Sequence, residues 1–291
     1  MLVAAFLIAF APPPDTAVAR DLTVAPGEVL RVTSRGSGPV VVLIPGLFGS
    51  AYGYRKVTEP LARAGLRTIV IEPLGTGWSS QPAGADYSLT AQADRIGRAL
   101  DQLNVRGAVV VAHSVGASMA LRLAVRRPEL VRGIVSIDGG PAETAATPGL
   151  TDATRYASVM KFFVDAGAIR KQVRAGMIKN SGDTSWVTDA AVAAYTAGFA
   201  RDVRAGIDAL KGMADSHESE PLRPSLPRIR IPVRLLIGDA PHATRTPDEE
   251  IVILSAGLHD FAVEHVPRAG QYIQEEQPDA VVATVRRLAR R

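Results

Sequence analysis

A serine stands where a strand gives way to a helix, in the run Gly107 to Arg127, G-A-V-V-V-A-H-S-V-G-A-S-M-A-L-R-L-A-V-R-R. Ala108 to Ala112 form a continuous apolar run of the kind a strand buried on both faces requires, and helical spacing begins at Ser114. Ala112 and Gly116 flank the serine two residues away on either side, the small residues that a sharp strand-to-helix turn needs. Such a turn lifts the hydroxyl above the sheet end and aims the first helix amides at the same point. A nucleophile and an anion-stabilising dipole then coincide.

A hydroxyl nucleophile needs a base, an acid to hold that base, and donors for the developing oxyanion. A second loop, Pro45-Gly46-Leu47-Phe48-Gly49-Ser50, follows another buried run at Val40 to Ile44, and Glu72-Pro73-Leu74-Gly75-Thr76-Gly77-Trp78-Ser79 follows a third. This order of features resembles the α/β-hydrolase family over roughly residues 28 to 290. The resemblance implies an α/β fold: a mostly parallel central sheet with helices on both faces and a helical cap inserted after the sixth strand. It also implies that the backbone N–H groups of Leu47 and Val115 form the oxyanion hole.

For the acid the resemblance leaves two positions open. Asp138 ends the sixth strand and is preferred, while Asp239 directly follows the seventh. The base is where the chain departs from the family. The segment Val266 to Pro278 is similar to the family's G-H-x-x-x-x-E-x-P region, with Gln271 in the place of the histidine. Glutamine hydrogen-bonds but takes up no proton near neutral pH. Of the other histidines, His113 is expected to be buried packing, and only His242, on the loop after the seventh strand, is placed to stand in. The expected activity is that of a serine hydrolase acting on a carboxylic ester or related acyl substrate, impaired by Gln271. The alternative is a non-catalytic relative that binds a small apolar ligand under its cap.

Elements that must position these residues are legible along the chain. Val29 to Ser34 alternates as an antiparallel edge strand, and strands follow at Val40 to Ile44, Arg67 to Ile71, Gly133 to Ile137, Pro232 to Gly238 and Phe261 to Val266. Helices are expected at Tyr54 to Ala64, at Leu89 to Leu103 with Thr90 as N-cap, at Thr246 to Ala256 and at Pro278 to Arg290. From Pro141 to about Pro227 the strand rhythm stops, with helical patches at Ala153 to Ala166, Ile169 to Lys179, Asp189 to Ala200 and Val203 to Met213. The expected division is therefore a core of 20–140 and 228–291, a helical cap of 141–227, and a leader of 1–19.

The 291 residues, 47% hydrophobic and 21% charged, are ordinary for a globular protein. Of the net charge of +4, four arginines fall in the last six residues, where they suit a helix C-terminus, and no nucleic-acid motif accompanies them. The absence of cysteine excludes thiol catalysis and disulfides. Eleven apolar residues, a proline triplet and Ala17-Val18-Ala19 resemble an export signal cleaved after Ala19, with a cytoplasmic location the alternative; the run is too short for a stable membrane anchor. A small-molecule ligand, with neither metal nor cofactor, completes the expectation.

Overall fold

The computed structural model of the chain describes residues 16–145 and 165–290. Most of the expected leader, and the helical patch at 153–166 except its last two residues, lie outside them.

Apolar β-branched runs build the centre. Strands β1 (Val18–Ala25), β2 (Glu28–Arg35), β3 (Val40–Ile44), β4 (Arg67–Ile71), β5 (Ala108–His113), β6 (Val131–Ile137), β7 (Val233–Gly238) and β8 (Phe261–Val266) form one sheet in the order β1-β2-β4-β3-β5-β6-β7-β8. The pairs β1–β2 and β2–β4 are antiparallel and all others parallel. Successive side chains point to opposite faces, so one run feeds two cores: Val42, Ile44, Val110 and Ala112 enter one, Val41, Leu43, Val109 and Val111 the other.

Helices α2 (Leu89–Gln102) and α3 (Gly116–Arg126) cover the first face with Ile96, Leu100, Met119 and Leu123. Helix α1 (Arg55–Arg63) covers the second with Val57 and Leu61. After the sheet's later strands, α9 (Pro278–Ala289) joins it there through Val281, Val285 and Leu288. The α/β-hydrolase architecture expected from the sequence is thus present, with helices on both faces of a mostly parallel sheet.

Between β6 and β7 the described residues hold helices α4 (Ala166–Lys179), α5 (Asp189–Arg201) and α6 (Val203–Ala214) and no strand. Helix α5 packs on loops that leave the carboxyl ends of the strands. Phe199 meets Phe48 after β3, and Gly198 lies so close to Gly77 after β4 that an added Cβ would sit 1.7 Å from the Gly77 carbonyl oxygen. Helix α5 therefore lies over loops at the carboxyl edge of the sheet. Helix α7 (Asp248–Gly257) starts after Pro247, slightly later than its periodicity suggested, and the short α8 (Ile273–Glu276) precedes α9. No helix among the described residues is long and apolar enough to cross a membrane.

Two expectations are corrected. The strand at Val29 to Ser34 is second in the sheet, not its edge, because β1 pairs outside it. That outer strand escapes pattern reading because Val18 to Asp21 are exposed on both faces and only Leu22 and Val24 turn toward the core. The N-cap of α2 is Ser88, whose hydroxyl accepts from the Ala91 amide at 3.2 Å. Thr90 lies inside the helix and gives its hydroxyl to Glu218 at 2.6 Å.

Candidate active site

Strands β3 and β5 are neighbours although β4 intervenes in sequence, so the chain reverses its direction of travel across the sheet between them. Crevices open at such points, outside the carboxyl ends of parallel strands. The loops that leave these two strands carry Leu47 and Ser114.

Ser114 has φ of +52°, a left-handed conformation that costs a non-glycine residue about 1–2 kcal/mol. Packing enforces it. The Ser114 amide donates to the Ile137 carbonyl at 2.9 Å, and the Ala117 amide donates to the Ser114 carbonyl at 2.9 Å as α3 begins. A Cβ on Gly116 would lie 3.1 Å from the Ile44 carbonyl oxygen, and one on Gly46 would lie 3.2 Å from the Ser114 Cβ. Close backbone approach thus favours glycine at Gly116, beside the serine, and at Gly46, facing it. Residues 108–113 and 115–125 are buried, whereas Ser114 is part-exposed.

Beside it, Gly46 to Gly49 form a turn closed by the Gly49 amide on the Gly46 carbonyl at 3.0 Å. Among the described residues, no protein acceptor takes the amide hydrogen of Leu47 or of Val115. Glu72, buried at the end of β4, binds the Ala51 amide at 2.8 Å and the Trp78 amide at 2.5 Å, tying the loops after β3 and β4 together. Burial raises its pKa, against the pull of those two amides.

Gln271 is buried, and its Nε2 donates to Ser114 Oγ at 3.4 Å. Its backbone is held at both ends. The amide donates to the Asn180 carbonyl at 2.8 Å, and the carbonyl accepts from His113 Nε2 at 3.1 Å. Burial lowers the His113 pKa to about 4, despite the nearby Asp138 charge and the Gln271 carbonyl. His113 is therefore neutral at pH 7, with its proton on Nε2, and is too weak a base to serve Ser114.

The two acid positions separate cleanly. Asp138, also left-handed with φ of +46°, has a fully buried carboxylate that binds the His242 Nε2, the Thr246 amide at 2.8 Å and the Thr246 hydroxyl at 3.0 Å. Asp239 pairs instead with His265 Nδ1 at 2.8 Å on an exposed surface. The second nitrogen of His242, Nδ1, meets the Ala240 carbonyl at 2.8 Å. With both nitrogens facing acceptors, the ring is built to be an imidazolium. Burial opposes that charge, but Asp138 and the Ala240 carbonyl outweigh it and raise the His242 pKa. Neither ring nitrogen is turned to Ser114. The structure thus brings Gln271 to the serine and His242 to Asp138.

Two glutamates that the sequence reading did not assign hold the Gln271 loop. Glu276 accepts from the amides of Gly182 at 2.7 Å, Asp183 at 2.8 Å, Gly270 at 3.1 Å and Tyr272 at 3.3 Å, which pins the α4–α5 connection to the loop after β8. Its signal was in plain sight as the glutamate of the G-H-x-x-x-x-E-x-P pattern. Glu275, with its side chain fully buried, pairs with Arg55 at 2.5 Å and Lys56 at 3.4 Å and accepts the Tyr195 hydroxyl at 3.1 Å. Glu276→Ala strands these amides, so unfolding stability is expected to fall by about 2 kcal/mol, measured by urea titration. Among the described residues no cluster of three or more histidines and carboxylates could hold a metal ion.

Comparison with known proteins places the fold. Residues 39–174 match the family described as alpha/beta hydrolase fold. The magnesium-chelatase 30 kDa subunit of Rhodobacter capsulatus is 30% identical over 217 residues, covering 72% of this chain and 74% of that protein. An epoxide hydrolase of Caballeronia sordidicola is 35% identical over 113 residues, but the match spans only 34% of its length and 38% of this chain. Among solved structures, Cfl2 from Burkholderia cenocepacia superposes with a TM-score of 0.76 at 25% identity, covering 95% of this chain and 97% of that one.

Proposed function

We propose, from the premise that the chain belongs to the α/β-hydrolase fold family, that it is a serine hydrolase acting on a carboxylic ester or related acyl substrate, slowed because Gln271 replaces the general base. The observation that carries this reading is the left-handed Ser114, part-exposed beside the turn that presents Leu47. Ser114 Oγ attacks the substrate carbonyl, the amides of Leu47 and Val115 receive the oxyanion, and the bond to the alcohol breaks as the acyl–serine ester forms. The serine proton leaves with the alkoxide or through water, and water then releases the acid.

Epoxide chemistry does not transfer to this serine. A hydroxyl attacking an alkyl carbon would leave an ether on Ser114, which water does not hydrolyse, whereas an acyl–serine ester does turn over. Substrates with good leaving groups suit a site without a base, since p-nitrophenolate departs unprotonated. Slow turnover of p-nitrophenyl acetate, lost in Ser114→Ala, is the expected result. Equal rates in the two proteins would contradict it.

A second reading is favoured by one contact. The Gln271 amide donates toward Ser114 Oγ, so with the two backbone amides the site offers donors and no base, which suits holding a ligand carbonyl without cleaving it. That reading predicts ligand-dependent thermal stabilisation with no turnover in either protein.

A further inference from the structure

Phe48 directly follows the Leu47 amide, and its backbone is left-handed, with φ of +60°. It occupies the third position of the Gly46–Gly49 turn, where a positive φ favours glycine and an aromatic residue is an outlier. Something other than local preference must hold it there. Its ring meets Phe199 of α5, with centroids 5.8 Å apart and planes at 49°.

Phe199 is itself fixed in place. It is buried, a Cβ on Gly206 would lie 2.7 Å from its ring, and the neighbouring Gly198 touches the Gly77 backbone. Glu72 links the Gly77 loop, through the Trp78 amide, to Ala51 at the far end of the oxyanion loop. Phe48, Phe199, Tyr195 and Leu210 line one small cavity of about 10 Å³.

We propose that Phe199 is a positioning residue for the oxyanion turn: its ring holds Phe48 in the left-handed conformation and thereby keeps the Leu47 amide in place beside Ser114. The meaning of that amide rests on the acyl-transfer reading, but the state of the turn is measured without it.

The test is hydrogen exchange of the Gly49 amide, which closes the turn, followed by NMR on the whole chain. Phe199→Ala is expected to speed that exchange about tenfold, and Val192→Ala, which loosens α5 elsewhere, to leave it within about twofold. Adding Phe48→Gly to Phe199→Ala is expected to restore protection to within about threefold of the parent, because glycine adopts φ of +60° without the steric cost a phenylalanine bears. General loosening of the helices would not be rescued in this way. Unchanged exchange in Phe199→Ala, an equal rise in Val192→Ala, or failure of the glycine rescue would each overturn the proposal. If Phe199→Ala does not fold, Phe199→Leu with and without Phe48→Gly decides in the same sense. Fluorophosphonate labelling of Ser114 in Gln271→His runs alongside: no label there sinks the acyl-transfer reading and leaves the exchange result to judge the turn.

Discussion

Replacing Gln271 with histidine is expected to raise ester turnover by about 10²- to 10⁴-fold, the usual worth of a general base. The position is prepared for it. Residue 271 already lies within 3.4 Å of Ser114 Oγ, and its backbone is clamped by Asn180 and His113, so a new imidazole would start from a fixed stem. The gain should appear as the pH rises through the ordinary histidine value near 6.5, since only the neutral ring accepts the serine proton. The parent protein should show no such step. A rate unchanged by Gln271→His, in a protein of unchanged stability, would mean that the machinery around Ser114 lacks more than a base.

The second large effect concerns Asp138. Asp138→Asn keeps a side chain that tolerates the left-handed backbone but removes the charge opposite a sealed imidazolium. Breaking a buried pair by deleting one partner costs about 3–5 kcal/mol, so the melting temperature should fall by roughly 10 °C near pH 6. The sign of the pH dependence follows from His242. Its folded pKa is raised above the unfolded value near 6.5, so its contribution is complete below that pH and is lost as pH climbs through the folded pKa. In Asp138→Asn the falling limb of stability above pH 6.5 should flatten. Melting curves from pH 5 to 9 read both effects, and an unaltered slope would show that the pair does not govern stability.

How much of this was legible in the sequence varies with the physics of each residue. The strands of the centre announce themselves because burial on both faces demands unbroken apolar runs, as at Val40 to Ile44 and Ala108 to Ala112. β1 stayed hidden because most of its side chains are solvated and leave no pattern. Ser114 stood out through its small neighbours, of which Gly116 lies tight against Ile44. The choice between Asp138 and Asp239 was open because both follow strands at the same sheet edge. What separates them is contact across more than a hundred residues with His242 and Thr246, or across an exposed loop with His265. Likewise the amide nest around Glu276 joins residues 182–183 to 270–272, a proximity that no local spacing encodes.

That last arrangement also explains why a glutamine at 271 is well tolerated by the fold. The loop is held by its backbone and by Glu276, not by the side chain at 271, so the side chain there can vary without disturbing the serine. Ser114 keeps its left-handed backbone while the imidazoles around it are committed elsewhere, His113 to a carbonyl and His242 to a carboxylate.

The most direct test is the intact mass of the Gln271→His protein after exposure to a fluorophosphonate, with the modified peptide sequenced. A single adduct on Ser114, absent in the Ser114→Ala double variant, is the result expected here. No adduct, or one on any other residue, would contradict the claim that Ser114 is the nucleophile of an acyl-transfer site.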